Sequence, residues 1–71
     1  MSRYLIIIEK TATGFSAYSP DLPGCIATGR TRSETEAEMK SAIEFHIEGL
    51  RGAGLQVPEP ASQASYCNVT G

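Results

Sequence analysis

The sequence contains no tryptophan, one histidine and one aspartate, and its six lysines and arginines are spread along 71 residues. Because these basic residues do not cluster, the chain lacks the positively charged footprint of a nucleic-acid-binding domain. Its longest apolar run, Tyr4–Ile8, is far too short to span a membrane, and no small-residue cleavage site follows it. The sequence therefore predicts neither anchor nor signal peptide, but a cytoplasmic protein in which Cys25 and Cys67 remain free thiols.

Side chains suited to catalysis are equally scarce. His46 is the single histidine, and Glu44 and Glu48, two positions away on a predicted helix, do not face it. No glycine-rich phosphate loop, nucleophile elbow or metal-spaced histidine pair occurs. A two-metal nuclease needs several converging carboxylates, and the best set that this chain offers is Glu9, Asp21 and Glu48. We therefore expect no catalytic, cofactor or metal site, and interpret the chain as a protein that acts by binding.

Three short segments rich in apolar and β-branched residues predict strands at Tyr4–Glu9, Phe15–Tyr18 and Cys25–Thr28. A corner at Ser19–Cys25 separates the last two, because two prolines fix the backbone there and Gly24 can adopt positive φ. The first strand is apolar on both faces, which is typical of a strand covered twice. We expect the helix to form one cover, and a partner or a second copy of the chain to form the other.

The remaining chain predicts one long helix and a last strand. Thr31 and Glu34 fit a capping box, so the helix is expected to begin there and to end near Gly52. A link stiffened by Pro58 and Pro60 follows the helix. After it, a weak alternation of polar and apolar residues predicts a fourth strand at Ser62–Thr70. A right-handed crossover then gives an α+β fold, β-β-β-α-β, with sheet order 3-2-1-4 and the helix on one face. The sheet-facing stripe of the helix is expected to comprise four apolar residues: Met39, Ile43, Ile47 and Leu50.

The order of these motifs resembles the HicB antitoxin family. The resemblance covers nearly the whole chain, from the apolar first strand to the last one, and is carried by the following segments: Gly14-Phe15, Pro20–Cys25, Thr31-x-x-Glu34, Ile43–Leu50 and Gly54–Pro60. It implies a partly degraded ribonuclease-H-like fold without its active site. It also implies a HicA-type toxin as partner, a small basic protein that cleaves messenger RNA, and assembly into a homo-oligomer, a dimer or a tetramer.

Two features depart from that family. Glu36 stands where the family often has an apolar residue, which predicts a looser first helical turn. Many relatives also carry a C-terminal DNA-binding domain, and none is recognisable in this sequence. We therefore expect a short form with a single antitoxin-like domain at residues 1–71, and no direct DNA binding.

The resulting hypothesis is an antitoxin-like protein, not an enzyme, that neutralises a ribonuclease by occluding it. Two alternatives stay open: an orphan oligomeric interaction domain without a toxin, and a residual metal-dependent nuclease. The predicted partner contacts lie on the acidic flank of the helix and at the proline corner. They are five residues: Tyr18, Asp21, Glu44, Phe45 and Glu48.

Overall fold

A computed structural model describes residues 2–71. It shows an antiparallel three-stranded sheet followed by one helix, which confirms the α+β class. The sheet order is β1-β2-β3, with each strand beside its neighbour in sequence. The elements are β1 (Ile7–Lys10), β2 (Phe15–Tyr18), β3 (Ile26–Gly29) and α1 (Arg32–Gly52).

The register of the sheet sorts its residues onto two faces. Ile8, Ala17 and Ala27 are neighbours across the three strands, and they pack with Met39 of the helix. Since side chains alternate along a strand, the next row points the other way. That open face is not covered by any element of residues 2–71, and the row at one end of the strands consists of larger side chains: Ile7, Tyr18 and Ile26.

The corner after β2 supplies part of the core. The amide of Leu22 donates to the carbonyl oxygen of Ser19, and the amide of Cys25 donates to that of Leu22, each at 3.1 Å. Gly24 takes a φ of 83°, as a residue without Cβ can at no steric cost. These two turns direct Leu22 and Cys25 inward, where both are buried beside Ala17 and Met39.

Both ends of the predicted helix are confirmed. The Thr31 hydroxyl accepts from the amide of Glu34 at 3.0 Å, so it acts as the N-cap. At the other end Gly54 adopts a φ of 71° and its amide donates to the carbonyl of Arg51. The amide of Leu55 donates to the carbonyl of Leu50 at 2.9 Å. These paired bonds form a Schellman motif, which satisfies carbonyls that the helix leaves free.

The predicted fourth strand is not confirmed among residues 2–71. Residues 55–71 are extended but join no ladder, so the sheet has three strands instead of the order 3-2-1-4. Pro58 and Pro60 have no amide hydrogen to donate to a neighbouring strand. Most residues of Ser62–Thr70 are polar, so the segment has few side chains that gain from burial. The first and third strands also begin later than predicted, at Ile7 and Ile26.

We expect Cys25 to resist alkylation in the folded protein. Its side chain is buried, and burial raises the pKa of its thiol above the ordinary value of 9.0, which lowers the thiolate fraction. In a Cys67→Ser variant, iodoacetamide should therefore leave the folded chain unmodified and label it fully in denaturant, as measured by mass spectrometry. Labelling at equal rates in both conditions would contradict the burial of this thiol.

Candidate functional site

A concave surface lies between the segment leading into β1 and the helix α1. It exists because the helix packs mainly over β3 and β2 and meets β1 least. Ile43 and Ile47 are consequently only half-buried, although the sequence places them on the same apolar stripe as Met39. We name this surface the β1–α1 groove; it encloses about 520 Å³ and is lined by Ser2, Tyr4, Ile6, Glu36, Lys40, Ile43, Glu44 and Ile47.

The groove continues towards the end of the helix. Glu44 and Ile47 also line the adjoining depression, together with Glu48, Arg51 and Val57. One wall is fixed by Tyr4, whose hydroxyl donates to the carbonyl oxygen of Pro58 at 2.6 Å. This bond joins the segment leading into β1 to the segment after the helix.

Charged side chains surround this apolar floor. Glu36 is already paired, since its carboxylate lies 3.4 Å from the guanidinium of Arg32. Glu44 and Glu48 have no cation within 4 Å among residues 2–71. Both are exposed on the helix one turn apart. The groove and its continuation therefore combine half-buried isoleucines with Glu44 and Glu48, two carboxylates without an ion pair, and the cations Lys40 and Arg51 line the same surfaces.

A second arrangement holds the segment after the helix against the proline corner. The Asp21 carboxylate accepts hydrogen bonds from the amides of Ala61, at 3.1 Å, and Ser62, at 3.0 Å. It also accepts from the Ser62 hydroxyl at 2.9 Å. We call these three bonds the Asp21 clasp. The backbone donors, that of Ser62 first, lower the pKa of Asp21 from its ordinary value of 3.8, because they favour the charged form.

We expect the Asp21 clasp to open in acid. A carboxylate whose pKa is lower in the folded state stabilises that state above its unfolded pKa, and the stabilisation is lost as the pH falls through the lowered value. The backbone NMR signals of Ala61 and Ser62 should therefore shift together at a pH below 3.8. An Asp21→Asn variant should lack this transition. If the chemical shifts of Ala61 and Ser62 in the natural chain did not change on acidification, the clasp would be contradicted.

Residues 4–70 match the profile of a family described as a HicB-like antitoxin of bacterial toxin–antitoxin systems. The chain belongs to the HicB-like antitoxin family. Its sequence is 40% identical over 65 residues to an uncharacterised 14.9 kDa protein from the rep–hol intergenic region of Haemophilus phage HP1. That match covers 92% of this chain and 49% of the phage protein, so the chain spans about half the length of that relative.

Two solved structures extend the likeness of this HicB-like chain to its fold. A chain of a HicA3 and HicB3 toxin–antitoxin complex superposes with a TM-score of 0.74 at 37% identity, covering 84% of this chain and 70% of that one. A crystal structure of the antitoxin HicB3 gives 0.70 at 37% identity, covering 84% of this chain and 44% of the other. The resemblance seen in the sequence is thereby confirmed at the level of the family.

The structure brings together only two of the five predicted contact residues. Glu44 lines the β1–α1 groove and its continuation, and Glu48 lines the continuation. Phe45 is 80% exposed and does not line the groove, while Tyr18 lies on the open sheet face. Asp21 is engaged in the clasp. Whether any of the five contacts a partner stays a prediction.

The apolar floor of the groove is the part of the HicB-like site that the sequence reasoning missed. Tyr4 and Ile6 share one face of the first strand, and Ile43 and Ile47 share one helix stripe. Both patterns predict core residues. The available signal is the apolar run Tyr4–Ile8, which a single 21-residue helix offset towards β3 does not cover completely.

The residues considered for catalysis do not converge. Among residues 2–71, no three histidine, cysteine, aspartate or glutamate side chains are placed so that they could hold a metal ion. Glu9, Asp21 and Glu48 therefore do not form the carboxylate cluster that a two-metal nuclease needs. In the same part of the chain, no helix has both the length and the apolar character required to cross a bilayer.

Proposed function

We propose that this protein is an antitoxin that binds a HicA-type toxin and neutralises it by occlusion. The observation that carries the proposal is the structural match to a chain of a HicA3 and HicB3 toxin–antitoxin complex. The β1–α1 groove supports it, because unpaired Glu44 and Glu48 are suited to a small basic partner.

The proposed mechanism makes and breaks no covalent bond. The toxin's basic surface approaches the exposed carboxylates of Glu44 and Glu48, which increases the association rate. Burial of apolar surface against Ile43 and Ile47 then slows dissociation, since these side chains are half-buried in the free protein. A toxin held in this way cannot admit messenger RNA, so inhibition is stoichiometric. In this proposal the protein is not itself an enzyme and works in the cytoplasm, where such a toxin would meet its substrate.

The finer features of the fold belong to the same proposal. We infer a partly degraded ribonuclease-H-like domain over residues 1–71, which acts as a homo-oligomer and does not bind DNA directly. In that fold Ser62–Thr70 lies beside β1 and completes the order 3-2-1-4. Support comes from the free edge of β1 and from the uncovered apolar row on the open sheet face.

Co-expression with a HicA-type toxin tests the proposed function directly. We expect the chain to restore growth of cells that produce the toxin, and to co-purify with a catalytically inactive toxin in a fixed stoichiometry. A matched experiment uses the Met39→Ala variant, whose weakened core should lower the folded fraction and with it the protection. Failure of the folded chain to bind any toxin encoded beside it would favour the orphan interaction domain. Cleavage of RNA by the chain alone, with magnesium or manganese, would favour the nuclease.

A further inference from the structure

The charges that line the β1–α1 groove and its continuation are of both signs. Lys40 lines the groove, Arg51 and Glu48 line the continuation, and Glu44 lines both. All four residues are exposed. Along the helix they follow one another as cation, carboxylate, carboxylate and cation. This surface is therefore not simply acidic, and a uniformly basic partner would bring like charges against its two cations.

None of these four charges is paired within the chain. Arg32 and Glu36 form the one ion pair in the part of the chain that the structure describes. Glu36 stands four residues before Lys40, the favourable order for a pair on a helix, but it is engaged by Arg32. Glu44 stands four residues after Lys40, an order that stabilises a helix less. Lys40 and Arg51 are thus as accessible to a partner as the two carboxylates are.

Helical geometry places the four charges in one row. A helix turns about 100° and rises about 1.5 Å per residue, so the four side chains project within about 80° of one another. The rise from Lys40 to Arg51 is about 16 Å along the axis, and Glu44 and Glu48 lie between them, about 6 Å apart. The row therefore has a cation at each end and the two carboxylates in the middle.

The row borders the apolar floor of the groove. Ile43 and Ile47 of the helix are half-buried there, and Tyr4 and Ile6 form the opposite wall, where they pack against the core. A partner that covers this floor removes water from the charges beside it. A charge that loses its water without gaining an opposite charge weakens binding. A tightly bound partner therefore has to meet each charge of the row with its complement.

We infer that the toxin surface bound in this groove is bipolar: two central cations meet Glu44 and Glu48, and a carboxylate at each end meets Lys40 or Arg51. The inference rests on the proposed function, and it adds that Lys40 and Arg51 determine which basic proteins fit. A surface that is basic throughout faces like charges at both ends of the row, so it binds less tightly. The partner is recognised by the order of its charges as well as by their sum.

Neutralising the two cations tests this inference through the sign of the effect. Lys40→Gln and Arg51→Gln each make the chain more acidic, so a toxin attracted only by net charge should bind both variants more tightly. We expect the opposite: each variant should bind an inactive toxin about threefold to tenfold more weakly. Dissociation should become faster because a close pair is lost, while association should be unchanged or slightly faster. Surface plasmon resonance measures both rates.

Two matched variants isolate the contact. Arg30→Gln removes a cation that is exposed but lines neither the groove nor its continuation, so the dissociation rate should not change. Lys40→Arg keeps the positive charge and should bind like the natural chain. All the variants should unfold at the same urea concentration, because none of the substituted residues belongs to the core.

Unchanged or tighter binding of both Gln variants, without faster dissociation, would overturn the inference, since the groove would then select only for positive charge. Weaker binding at only one of the two positions would also contradict a partner with a carboxylate at each end. Failure of the natural chain to bind an inactive toxin would remove the proposed function and this inference with it. The failures are distinguishable, because the first two require a toxin that the natural chain binds.

Discussion

Replacing Met39 with alanine is expected to lower the free energy of unfolding by about 2–5 kcal/mol. Met39 has no exposed surface and lies at the centre of the core formed with Ala17, Leu22 and Cys25. Removing its side chain loses the transfer free energy of the buried atoms and leaves a cavity between helix and sheet. A small domain is stable by only about 5–15 kcal/mol, so this loss is a large share of the total.

Urea unfolding followed by circular dichroism measures this effect. The matched control is Met39→Leu, which conserves volume and should cost less than about 1.5 kcal/mol. Ser41→Ala, on the exposed side of the same helix, should change the midpoint little. If Met39→Ala unfolded at the same urea concentration as the natural chain, the helix would not be anchored to the sheet at this position. If the chain is a dimer, the comparison requires equal protein concentrations.

Reversing the two free carboxylates of the groove, Glu44→Lys with Glu48→Lys, should weaken toxin binding by about 10-fold to 100-fold, or about 1.4–2.8 kcal/mol. The substitutions replace attraction to a basic surface by repulsion, and they leave the core intact because both residues are exposed. Most of the loss should appear in the association rate and should shrink at high salt, since screening weakens exposed charges. Surface plasmon resonance with an inactive toxin measures both quantities.

The matched control for the charge reversal is Glu38→Lys. Glu38 lies on the same helix and is exposed, but it does not line the β1–α1 groove. Its reversal should change affinity much less than either groove substitution. Equal losses of affinity at all three positions would show that toxin binding depends only on the net charge of this chain. Unchanged binding of the double variant would place the interface elsewhere, with the exposed Phe45 and the Tyr18 face as the remaining predicted contacts.

Local sequence chemistry determined the elements of this protein and their ends. Thr31 could be recognised as a helix cap because its hydroxyl accepts a hydrogen bond from an amide only three residues away. The β2 range and the Pro-Gly corner were equally predictable, since prolines and a glycine restrict the backbone locally. The family was also recognisable at this level, because its motifs follow one another along the chain.

Only the tertiary structure decided how these elements meet. The offset of the helix towards β3 opens the β1–α1 groove, and that offset depends on how Met39 and Thr35 fill the space above the sheet. The role of Asp21 depends on partners 40 and 41 residues away. The pairing of Ser62–Thr70 is not confirmed for the same reason: a strand forms only where a free edge is within hydrogen-bonding distance, and the alternation of polar and apolar residues carries no information about that distance.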